Sequence, residues 1–170
     1  MKYTVPEVTG ELVADVAKTL ASSYRPLSLA DVIRCYEGKY SQEYVRRALM
    51  ACSQLRLAPQ RDNTYVSNEE DRDDLKRASK DDLPIPFRKR LQDYAPFLLY
   101  VDFVSKGFPT LESAMKSRGI FQIDTAPEKL DRTFRNWGTF SGAIEVDRKS
   151  GRIVINVDTE RLLIDYARKL

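Results

Sequence analysis

The chain has 170 residues, 42% of them hydrophobic and 31% charged, with 28 Lys and Arg against 25 Asp and Glu for a formal charge of +3. That balance suits one folded domain or two small ones, and it excludes a polyanion binder that works by bulk charge; any nucleic-acid contact must come from local clustering. Two cysteines and no histidine exclude histidine-dependent triads and the usual structural zinc sites, and seven scattered glycines form no phosphate loop.

The opening "MKYTVPEVTG" lacks the apolar core of a signal peptide, and no apolar run approaches membrane-spanning length. A cytoplasmic protein without cofactor, metal or membrane contact is expected. Cys35 and Cys52 fall in apolar-periodic segments, which predicts buried thiols rather than a disulfide.

In chain order, Leu12, Val13, Val16, Ala17 and Leu20 mark a first helix that ends before Pro26. Ser28, with Asp31 three residues on, predicts a capped short second helix. Ser41 caps a third, whose core face is Val45, Ala48, Leu49, Cys52 and Leu55. "LRLAPQRDNTYVSN" follows as a short ribbon around a polar turn. Tyr24, Tyr36, Tyr40 and Tyr44 are expected to pack amphipathically. Residues 68–90, "NEEDRDDLKRASKDDLPIPFRKR", hold seven acids and seven bases and predict a polar linker, or a polar helix followed by an extended connection, that buries little.

The plan then repeats. A helix is predicted over 91–106, with Pro96 at its true start or at a kink, and Gly107 ends it. "PTLESAMKSRG" is a second short helix with Thr110 as cap. Thr125 and Glu128 have capping-box spacing for a third, with Leu130, Phe134 and Trp137 as its apolar stripe. "AIEV", the turn "DRKSG" and "RIVINV" predict a hairpin. A last helix, "DTERLLIDYARKL", carries Leu162, Leu163 and Tyr166, an apolar set suited to packing on its own domain or on a second protomer.

The order of helix, short helix, capped helix and ribbon occurs twice and resembles the winged helix-turn-helix fold. "SQEYVRRALMACSQLRLAPQRDNTYVS" and "PEKLDRTFRNWGTFSGAIEVDRKSGRIVIN" resemble its recognition helix and wing. The fold class expected is mainly α with small β-hairpins (α+β), as two winged helix-turn-helix domains in tandem: residues 1–67, a linker over 68–90, and 91–170 with the terminal helix. The second copy departs from the pattern in its long "IFQIDTA" connection. The resemblance implies a third helix in the major groove and a wing on backbone or minor groove. On the second third helix, Lys129, Arg132 and Arg135 lie opposite the apolar stripe with Asn136 nearby, and the hairpin adds Arg148, Lys149 and Arg152. Basic groups there suit phosphate contact, and Arg or Asn suits base edges. In the first copy, Gln42, Arg46 and Arg47 are the corresponding candidates.

A non-enzymatic duplex-DNA-binding protein, regulator or accessory of a DNA-handling system, is therefore expected. The rival expectation is a winged-helix adaptor subunit that binds a protein partner in a larger ATPase or chromosome-maintenance complex. A homodimer through the C-terminal helix is a further expectation. Asp147–Arg148–Lys149 matches D-x-K, the minimal tail of a metal-dependent nuclease motif, with Asp131 as an upstream carboxylate. Its hairpin-turn setting favours chance, and no catalysis is expected.

Overall fold

The structure, a computed structural model, describes residues 3–168. Among these residues it is mainly helical with two small antiparallel sheets. The chain divides into two compact units, one of residues 8–90 and one of residues 3–7 with 91–168. Each is described by itself.

In the unit of residues 8–90, α1 (Gly10–Ser22) starts at Thr9, whose side chain accepts from the Leu12 amide. β1 (Leu27–Ser28) follows Pro26, and Ser28 then opens α2 (Leu29–Cys35). The predicted capping box forms: Ser28 accepts from the Asp31 amide while the Asp31 carboxylate accepts from the Ser28 amide at 3.0 Å. The Ser28 amide, the Ser28 hydroxyl and the Arg25 guanidinium, all donating to that carboxylate, draw the Asp31 pKa down to about 2. α3 (Gln42–Gln54) starts at Ser41 and buries Val45, Ala48, Leu49 and Cys52 against α1. β2 (Gln60–Arg61) and β3 (Thr64–Tyr65) flank a turn in which Asp62 and Asn63 both take positive φ, at 47° and 61°, the backbone that two-residue hairpins favour. β1 pairs antiparallel with β3, Leu27 opposite Tyr65, so the sheet has the order β1-β3-β2.

The polar 68–90 stretch is not a linker. Glu69–Arg77 forms α4, packed on α1, and Pro84–Leu91 forms α5. Leu75, Leu83 and Phe87 are buried, and the fully buried Asp71 carboxylate meets Arg90 at 2.5 Å and Lys89 at 3.2 Å. Arg90 also reaches Glu70 at 2.7 Å. Hydropathy hid this segment because most of its few apolar residues (Leu75, Leu83 and Phe87, though not the exposed Ile85) point inward and its buried charges neutralise one another. Two smaller expectations also change. Cys35 is exposed on the solvent side of α2, whereas Cys52 is buried and donates to the Val13 carbonyl. Tyr36 is buried, but Tyr24 stands 99% exposed with the Lys76 ammonium over its ring.

In the other unit, α6 (Ala95–Ser105) begins with Pro96 in its first turn, as the sequence allows. α7 (Thr110–Phe121) runs a full 12 residues through Gly119 to a left-handed Gln122, which shortens the expected long connection. Thr110 does not cap it; the cap position is Pro109, with no side-chain bond. α8 (Pro127–Ser141) starts at Ala126, so Thr125 is no cap either. The Thr125 hydroxyl instead donates to the Val5 carbonyl at 2.6 Å and accepts from the Val5 amide at 3.1 Å. Leu130, Phe134 and Trp137 are fully buried, with Phe134 edge-on to Phe97 at 5.7 Å. β4 (Ile144–Val146) and β5 (Ile153–Ile155) form the hairpin, and α9 (Thr159–Arg168) packs on α6 with Leu162, Leu163 and Tyr166 half-buried. No helix among the described residues is long and apolar enough to cross a membrane.

Candidate nucleic-acid interface

The α8 sequence PEKLDRTFRNWGTFS divides by helical spacing. Its apolar stripe faces the core, which turns Lys129, Arg132 and Arg135 outward at 58%, 66% and 50% side-chain exposure. β4 packs directly on this helix at Gly138, where the bare backbone accepts the Ile144 side chain. That contact puts the hairpin beside the basic helix. In the turn, the Asp147 carboxylate accepts from the Lys149 amide and the Ser150 hydroxyl, both at 2.8 Å, and these bonds hold its pKa below the usual range. The turn so fixed leaves Arg148, Lys149 and Arg152 exposed. Their side chains have no ion-pair partner among the described residues.

The helix cations differ. Glu7 reaches Lys129 at 3.5 Å and Arg132 at 3.4 Å, and Arg135 pairs with Asp131 at 3.1 Å. Glu7 sits there because the segment before it is tied down. Val5 holds Thr125, the Asp124 amide donates to the Tyr3 carbonyl, and Tyr3 packs edge-on against Phe121. This residue was missed from sequence: it lies 125 positions from Arg132, and no local pattern links them. Asn136 is half-buried and engaged within the fold.

Asp131 is buried and accepts from the Tyr100 hydroxyl at 2.9 Å. Burial first, then the Asp131 charge, raise the Tyr100 pKa well above its usual value. Asp131 and Asp147 are thus each committed to local bonds, and no group of three acidic or thiol ligands among the described residues could hold a metal.

In the unit of residues 8–90, Gln42 is exposed at the start of α3. Arg46 and Arg47 both lean toward Glu43, at 3.9 Å and 3.3 Å. The sequence-predicted residues of this copy share one outer face of α3, but a carboxylate sits among them. No protein-family model, curated protein or solved structure matches the chain.

Proposed function

We propose that the chain is a non-enzymatic, duplex-DNA-binding protein made of two winged helix-turn-helix domains, a regulator or accessory of a DNA-handling system. The order α1-β1-α2-α3-β2-β3, with β1 paired to β3, supports the winged-helix reading of one unit, and α6-α7-α8-β4-β5 supports it for the other. The two free thiols are in keeping with a cytoplasmic setting. The observation that carries DNA contact is the packing of β4 on α8, which sets three exposed helix cations beside three exposed hairpin cations.

The ion pairs to Glu7 do not defeat this reading. Exposed pairs of this kind contribute only about 0–1 kcal/mol, so a phosphate can take the carboxylate's place. Affinity would come mainly from phosphate contacts, with Arg132 or Gln42 placed to reach base edges.

The test is the salt dependence of binding to random duplex DNA. Combining Arg132→Ala, Arg148→Ala and Lys149→Ala should leave the protein folded and lower the logarithmic salt slope by roughly 0.9 per lost contact. Arg135 is left in place, because its loss would strip a partner from the buried Asp131 carboxylate. An unchanged slope in the triple variant would remove this surface as the DNA-contacting face.

A second reading, the adaptor that binds a protein partner, is supported by α7. Leu111 and Met115, one turn apart, are 39% and 55% exposed. An apolar pair standing in solvent on a helix suits a protein contact.

A further inference from the structure

We infer that the outer edge of β5 is a docking site for an extended, acidic peptide segment of a protein partner, which would add as a third, antiparallel strand. The argument begins with the hairpin ladder. The Asp147 amide donates to the Arg152 carbonyl at 2.8 Å, and the Asn156 amide donates to the Ala143 carbonyl at 2.9 Å. Antiparallel pairing alternates, so residues 152, 154 and 156 face β4 while Ile153 and Ile155 turn their amides and carbonyls the other way. Those outward groups have no hydrogen-bond partner among the described residues.

They do not face open solvent. A groove of about 760 Å³ runs between β5 and the α6–α7 connection around Gly107, Phe108 and Pro109. Ile153, Val154 and Ile155 all line it. A sheet face would offer alternate residues only, so three consecutive residues mean that the groove follows the strand's edge.

The unit of residues 8–90 shows what occupies the corresponding place. There the stretch between the first two helices is β1, and its Leu27 and Ser28 pair antiparallel with β3. In the other unit the corresponding stretch cannot pair. The amides of Lys106, Gly107 and Phe108 donate to Asp102, Val104 and Phe103, closing the end of α6, and proline has no amide to give. The edge is left bare, and a peptide from outside supplies the strand. Main-chain bonds provide affinity in such an addition, and side-chain pockets provide selectivity. The apolar walls suit alternating apolar residues. Of the two charged residues lining the groove, Asp147 has its carboxylate engaged by the Lys149 amide and the Ser150 hydroxyl, whereas Arg152 has no ion-pair partner among the described residues and selects an acidic one.

The site lies apart from the basic face of α8 and shares only Arg152 with the proposed duplex-binding cations, and the triple variant that tests duplex binding leaves Arg152 in place. It rests on the adaptor reading only in requiring a protein ligand, and a readout confined to β5 keeps the two distinguishable, since a partner held by α7 alone would leave β5 unchanged. The experiment uses the full chain and a synthetic octapeptide of alternating valine and threonine with one central glutamate. Amide hydrogen exchange at Ile153 and Ile155, followed by NMR, should slow at least tenfold when the peptide saturates. A lysine in place of the glutamate should weaken binding about tenfold, and Arg152→Glu should invert that preference. Ile155→Pro removes an outward donor without touching the β4 ladder and should abolish protection, with near-ultraviolet dichroism checking the fold. Three results would each overturn the inference: no protection at millimolar peptide, no inversion in Arg152→Glu, or protection that rises with protein concentration alone. The last would give the edge to a second copy of the chain.

Discussion

The two units follow the same order of elements but differ in the few residues between their first and second helices. In one, Pro26 releases the chain into a strand, and Ser28 serves twice, pairing with Thr64 and capping α2. In the other, Gly107 at φ +90° and the amides beside it close α6, and Pro109 leads into α7 without a capping side chain. Backbone donors engaged by a helix end are not free to join a sheet. That choice, made over four residues, gives one unit a three-stranded sheet and the other a hairpin with a bare edge.

A second contrast concerns how each unit is closed. The unit of residues 8–90 is sealed by the charged α4–α5 segment through Asp71, Arg90 and Lys89. The other is sealed by aromatic packing around Trp137, with Tyr3 from the N-terminal segment against Tyr94 at 6.2 Å. The contrast predicts a large effect for one carboxylate. Asp71→Ala leaves the almost fully buried Arg90 without its main partner and should cost roughly 3–5 kcal/mol, measured by urea denaturation. A loss near zero would mean that the charged segment is a decoration and would restore it as a linker.

The sequence was most legible where one local signal acts alone. Ser28 with Asp31, Ser41 before α3, and the stripe of Leu130, Phe134 and Trp137 each stand in the structure as their spacing indicates. It was least legible where a residue answers to a distant partner. Thr125 had capping spacing but bonds to Val5, 120 residues away. The 68–90 segment looked solvated because buried ion pairs leave the same composition as an exposed charged helix. At the candidate interface, the exposure of Lys129, Arg132 and Arg135 followed from periodicity, whereas the presence of Glu7 among them did not.

The next prediction sharpens the contrast at the helix–hairpin contact. A Cβ on Gly138 would collide with Ile144 Cδ1 and lie 2.6 Å from Cγ1 and 3.1 Å from Cβ. Overpacking of this kind costs about 1–3 kcal/mol, while Gly→Ala in a helix returns up to about 1. The clash wins, so Gly138→Ala should destabilise by roughly 1–2 kcal/mol in thermal or denaturant unfolding. Ile144→Val removes Cδ1 and should recover part of the loss in the double variant. If Gly138→Ala is neutral, the hairpin is not held against α8 by this contact, and the six cations have no fixed common surface.

The smallest effect tests the double service of Ser28. Ser28→Ala removes the hydroxyl that accepts from the Asp31 amide at 3.2 Å, a cap worth about 1 kcal/mol. The backbone pairing of β1 with β3 needs no side chain and should persist, so amide exchange across that ladder should change far less than exchange in α2. The same substitution should raise the Asp31 pKa part of the way, because it removes the Ser28 hydroxyl bond to the carboxylate, the second-largest cause of its fall to about 2, and leaves the backbone bond, the largest, in place. A carboxylate with a depressed folded pKa adds stability above its unfolded value and loses it as pH falls through the folded one. In the wild-type protein that contribution is therefore present above about pH 4 and disappears toward pH 2. Ser28→Ala should shrink this acid-side slope, and an NMR titration of Asp31 should show its midpoint moving up. If the midpoint stays near 2, the backbone amide of residue 28, which alanine keeps, and the Arg25 guanidinium, 3.3 Å away, hold the carboxylate instead. Ser28 would then act on α2 alone, and the link between strand and helix that the other unit lacks would rest on backbone pairing.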